Sequence, residues 1–85
     1  MKANPIYHDI ADAPFKIGQA VRVVRLLDET ADPKFLLCVG VVFSYEYNCG
    51  CGQTYPGNPM VGVAFGDLLE EFWPNELAAV DKASN

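Results

Sequence analysis

No part of this chain sustains an apolar 3.6-residue period for the ~10 residues a helix needs without meeting a glycine or a proline. Seven glycines and six prolines punctuate its 85 residues, and the runs between them are rich in β-branched and aromatic side chains, which suit a pleated, half-buried surface. A chain divided in this way is left with short strands joined by turns. At this length it has room for one domain, near the lower end of the self-sufficient range. A hydrophobic fraction of 51% supplies enough apolar surface for a core.

The strands are legible from alternation. Ala20–Leu27 places Val21 and Val23 on one face, with Arg22 and Val24 on the other. Asp28–Lys34 holds three acids and Pro33 and reads as a loop. Leu36–Tyr47 predicts a long second strand, with Gly40 marking a bulge or bend. Asn48–Pro59 is crowded with glycine, proline and asparagine and predicts a structured loop. Met60–Phe65 and Leu68–Trp73 form a hairpin around Gly66-Asp67, where glycine supplies the positive φ that a type II′ turn requires at its first central position. Pro74–Leu77 predicts one 3-10 turn, Ala78–Val80 a last short strand, and Asp81–Asn85 a frayed tail. Residues 1–14 carry Pro5 and Pro14 without a sustained period; they predict a loose arm that Ile6, Tyr7 and Ile10 could pin. The expected architecture is an all-β, SH3-like barrel of about five strands over residues 15–80. Closing a barrel protects strand edges that so small a chain would otherwise expose.

Three patterns, Phe15-x-x-Gly18-x-x-Val21-x-Val23, Val39-Gly40-x-Val42 and Phe72-Trp73-x-x-Glu76-Leu77, resemble the SH3-like barrels that serve as accessory subunits of redox enzymes. These are the barrel-shaped stromal subunit of photosystem I, the variable chain of ferredoxin–thioredoxin reductase and the NifZ-type nitrogen-fixation accessory proteins. The resemblance implies a non-catalytic adaptor that docks on a larger protein, a redox or nitrogen-fixation enzyme carrying metal and sulfur. It implies no particular binding residue.

Among features with chemical potential, Cys49-Gly50-Cys51 is the sharpest. Two thiolates one residue apart can converge on zinc or iron, or act as a redox pair. A four-ligand site within one chain is incomplete, because Cys38 lies in a strand expected to be buried and His8 in the N-terminal arm. The alternative is that both cysteines are small residues of a tight loop. An odd number of cysteines and the absence of an apolar leader after Met1-Lys2 predict a reducing cytoplasm.

Aromatic residues offer a second candidate site. Tyr45 and Tyr47 alternate onto one face of the second strand, Tyr55-Pro56 follows the cysteines, and Trp73 ends the fourth strand. Together they predict a partner-binding surface, or a groove for a peptide or methylated cation. Phe43, Phe65 and Phe72 are assigned to barrel packing. Glu70, Glu71 and Glu76 around Trp73, with Asp28, Glu29 and Asp32 in the first loop, predict a solvated acidic rim facing a cationic partner. The net charge of −5 argues against nucleic acid and against anionic membrane surfaces, and no apolar run reaches the ~18–20 residues of a membrane span. Phosphate-binding loops, nucleophile elbows and histidine dyads are absent, so no catalysis is expected.

Overall fold

A computed structural model of the chain describes residues 5–27, 32–47 and 53–80. Five antiparallel strands, β1 (Ala20–Val23), β2 (Val39–Glu46), β3 (Met60–Phe65), β4 (Leu68–Phe72) and β5 (Leu77–Ala79), form one sheet in the order β4-β3-β2-β1-β5. Short 3-10 turns at Pro33–Phe35 and Pro74–Glu76 complete the regular structure among the described residues. The all-β SH3-like arrangement is the one expected from the strand pattern. No helix among the described residues is long and apolar enough to cross a membrane.

The core lies where alternation places it. Val21 and Val23 of β1, Val42 of β2, and Val61 and Val63 of β3 are buried, with Phe72 and Leu77 closing the ends. Residues between them on β1 face outward, as Arg22 does. The β3–β4 hairpin also forms as expected. Gly66 has φ 65° while Asp67 is not left-handed, which is the type II′ pattern.

Differences concentrate at the first loop and in β2. The expected loop contains a 3-10 turn whose N-cap Asp32 accepts the Lys34 N–H at 3.0 Å, with Pro33 in the first position. This turn drives Phe35 into the core, where its ring lies 5.1 Å from Phe65 and 6.0 Å from Phe72. β2 therefore begins at Val39, three residues later than alternation implied. Leu37 adopts φ 70°, and its N–H donates to Val23 O (2.7 Å) while Val23 N–H donates to Cys38 O (3.0 Å). Two residues thus oppose one, and the resulting bulge leaves Cys38 exposed rather than buried.

Gly40 does not mark the bend expected there. A Cβ at Gly40 would lie 2.6 Å from the Ala64 carbonyl oxygen, so glycine permits close approach of two strands. The register shift falls between Val42 and Ser44. Strict alternation from Val42 would bury Ser44 and Glu46 and expose Tyr45; with the extra residue, Ser44 and Tyr45 are both buried, Tyr47 follows them, and Glu46 is only half-buried.

Residues 5–14 are tied to the sheet. Ile6 and Tyr45 exchange backbone hydrogen bonds of 2.8 and 2.9 Å, extending the edge that β1 covers farther back on β2. Ile10 and Ala13 pack against the core, and the Tyr7 ring stacks on Phe43 at 6.4 Å.

Candidate functional site

The register gathers three of the sequence-predicted aromatics at one end of the sheet. Glu46 pairs with Met60, and Val61 with Phe72, so Tyr47 and Trp73 flank the Pro59–Met60 start of β3. Tyr55 is carried to this end by a short loop closed through reciprocal Thr54–Asn58 backbone hydrogen bonds of 3.1 and 2.8 Å. The buried Tyr47 hydroxyl donates to Pro56 O at 2.8 Å, and the Tyr47 and Tyr55 rings meet at 4.9 Å in a tilted arrangement. Tyr55 is 68% exposed, so a large ring is held against a fixed support with most of its area open. Pro56, the next residue in the chain, is half-buried, as is Trp73, which the register places at the same end of the sheet.

Tyr45 is placed elsewhere. It has no exposed surface, and its hydroxyl donates to the Phe15 carbonyl. Burial, then the Asp9 carboxylate, push its phenol above the usual tyrosine range. Tyr45 is therefore a packing residue and cannot line a surface groove or a cation cage. Burial likewise raises Tyr47, with smaller effects from Tyr45 and Tyr55. Tyr47 serves as the support and Tyr55 as the presented ring.

Glu76 also departs from expectation. It is 4% exposed, and its carboxylate accepts N–H bonds from Leu27 and Trp73, each at 2.8 Å. It is an internal fastening between the chain after β1 and the second 3-10 turn, not part of a solvated rim. Asp28 and Glu29 lie outside the described residues, as do Cys49 and Cys51. Among the described residues no group of three His, Cys, Asp or Glu side chains is placed to hold a metal. Cys38 donates its thiol to Lys34 O at 3.3 Å.

Sequence reasoning missed a second surface. Val39, Val41 and Leu69 are exposed on the outer face of the sheet, next to the Tyr7–Phe43 stack. The signal present was that Val39–Phe43 is apolar at every position except glycine, whereas a strand with one wet face should alternate. Across this face the Glu71 carboxyl reaches Glu46, with side-chain-free Gly62 opposite Glu71 in the register. Partial burial, the hydrogen bond to Glu46, and the charges of Glu46 and Glu70 together raise Glu71 to about 7. Adjacent Glu70 and Glu71 do point to opposite faces, as alternation requires; the partner of Glu71 comes from two strands away.

A raised carboxyl binds a proton in the folded state that the unfolded chain has already released. Between its ordinary pKa of 4.5 and about 7, the Glu71 contribution to stability falls as pH rises, and above that window the loss is constant. Glu71→Gln is expected to raise the melting temperature at pH 8 and to leave it nearly unchanged at pH 4. Thermal unfolding at the two pH values checks this; an equal shift at both would show that the effect is not carried by the Glu71 proton.

Residues 1–81 match the family described as CarS bacterial SH3 domain. Over 74 residues the chain is 36% identical to the antirepressor protein CarS of Myxococcus xanthus. That alignment covers 85% of this chain and 66% of the relative, a little under two thirds of its length. No solved structure matches. The strand motifs that resemble redox accessory proteins are thus motifs of the barrel itself, and the specific kinship with those proteins is not supported.

Proposed function

This chain belongs to the CarS bacterial SH3 domain family, and from that premise we propose that it acts as a cytoplasmic, non-catalytic antirepressor-type adaptor, binding a transcriptional repressor and releasing it from DNA. The observation that carries the reading is the exposed Tyr55 ring, held on Tyr47 at the aromatic end of an acidic barrel. Large aromatic anchors commonly dominate binding energy at protein interfaces. A repressor must present cationic side chains to DNA phosphates, and a domain of net charge −5 is complementary to such a surface. Occupying it would exclude the operator by direct competition. Tyr55, Pro56 and Trp73 form the proposed contact, Tyr47 supports it from beneath, and no cofactor has a role. A metal–sulfur enzyme as partner has no support from the family match.

The test is capture from an extract of the native host, followed by addition of the chain to the captured protein bound to its DNA. The expected partner is a DNA-binding repressor that the chain displaces from its operator. Tyr55→Ala should weaken capture by roughly tenfold or more while thermal stability changes by no more than about 0.5 kcal/mol, the usual range for an exposed site. Capture of a protein without DNA-binding activity, or a stable complex of all three components, would overturn the reading.

A further inference from the structure

We propose that the outer edge of β4 is a docking site for an extended basic segment of another protein, which adds to the sheet as a sixth strand. Among the described residues β4 ends the sheet, pairing with β3 alone. Its two-residue turn makes Phe65 and Leu68 a hydrogen-bonded pair, and the antiparallel ladder alternates from there. The N–H and C=O groups of Leu69 and Glu71 therefore point away from β3. No backbone group among the described residues outside the sheet pairs with either. Leu68, Leu69, Glu70 and Glu71 are all exposed, Leu69 at 62%, so neither face of the strand is covered at this edge. Exposed apolar edges of this kind are templates for strand addition.

The charges select the occupant. A second copy of the chain is disfavoured, because two β4 edges pair antiparallel over three or more strand residues only when centred on Leu69, Glu70 or Glu71. These centres place Glu71 opposite Asp67, Glu70 opposite Glu70, and Glu71 opposite Glu71, respectively, and like charges directly opposite destabilise a sheet. The same carboxylates favour an incoming antiparallel strand that reads basic, basic, apolar, apolar. Its cations would meet Glu71 and Glu70, and its apolar residues Leu69 and Leu68. This edge is distinct from the Tyr55 contact and does not depend on the partner's being a repressor.

The experiment uses a blocked Lys-Lys-Val-Val peptide flanked by threonines, with amide exchange of the full chain followed by NMR. In the free protein, Leu69 and Glu71 amides should exchange fast while those of Glu70 and Phe72 are protected by β3. At saturating peptide, Leu69 and Glu71 should slow at least about tenfold, corresponding to about 1.4 kcal/mol of protection. A Glu-Glu-Val-Val peptide should not do this. Leu69→Pro should abolish the protection at Glu71 while keeping the hairpin, since its lost N–H bonds nothing within the sheet. If that variant unfolds, Glu70→Lys with Glu71→Lys replaces it and should transfer preference to the acidic peptide. Peptide binding that leaves both amides fast, equal binding of both peptides, or protection that grows with protein concentration alone would overturn the proposal. Tyr55→Ala should leave this binding intact, so failure here and failure of the antirepressor reading are separable.

Discussion

Replacing Tyr45 with alanine is expected to cost about 3–5 kcal/mol, the usual range for deleting a buried aromatic ring. Tyr45 is the largest fully enclosed side chain of the core, and it connects three parts of the molecule. Its backbone pairs with Ile6 on one side and Val61 on the other, and its hydroxyl reaches Phe15. Loss of the ring would leave a cavity between β2, β3 and the N-terminal segment, and a domain this small has little more than that stability to lose. Tyr45→Phe keeps the ring and removes only the hydrogen bond to Phe15, for about 1 kcal/mol. Urea unfolding separates the two effects. A Tyr45→Ala protein within about 1 kcal/mol of the parent would show that the ring is not enclosed and would restore Tyr45 as a surface candidate.

Glu76→Ala is expected to cost about 2–4 kcal/mol and to lower the melting temperature by roughly 10–25 °C. One carboxylate satisfies the N–H groups of Leu27 and Trp73, while the Glu76 backbone donates to Trp73 O (3.0 Å) and accepts from Val24 (2.8 Å). Alanine would leave two N–H groups without acceptors at a site nearly closed to water, each costing the desolvation of an unpaired group. Glu76→Gln should fall between parent and alanine variant, because one amide oxygen can accept from only one of the two positions while its NH₂ faces the other donor. Glu70→Ala, on β4 and exposed, is the control and should change stability by less than about 0.5 kcal/mol. If Glu76→Ala behaved like Glu70→Ala in thermal unfolding, Glu76 would belong to the solvated rim after all.

These residues also mark where local pattern ceases to determine a role. In β2 the side-chain faces depend on counting by twos, and one inserted residue reverses every later assignment. The register shift between Val42 and Ser44 depends on how β2 lies along β3, a relation no short window contains. It converts Tyr45 from a proposed contact into core. Glu76 illustrates a related limit. In sequence it stands with Glu70 and Glu71 near Trp73, as a charge beside charges. One of the two N–H groups its carboxylate accepts from is that of Leu27, which the fold brings to it from 49 residues away. Cys38 went the other way, toward solvent, because Asp32-Pro33 initiates a 3-10 turn and the left-handed Leu37 then rotates the chain before β2 begins.

By itself the sequence determined the fold class. Glycine and proline spacing excludes helices, β-branched alternation places Val21, Val23, Val61 and Val63 inside, and Gly66-Asp67 makes the hairpin, all through interactions between near neighbours in the chain. It also identified Tyr55 and Trp73 as aromatic residues at the end of the barrel now proposed to meet a partner. Only the tertiary structure decided which tyrosine is support and which is presented, that Glu76 is a fastening, that Glu71 answers to Glu46 across β3, and that β4 is the edge strand among the described residues. Each of these depends on strand register or strand order. Both are set by the packing of segments distant in sequence, so the same residues in another register would carry a different surface on the same barrel.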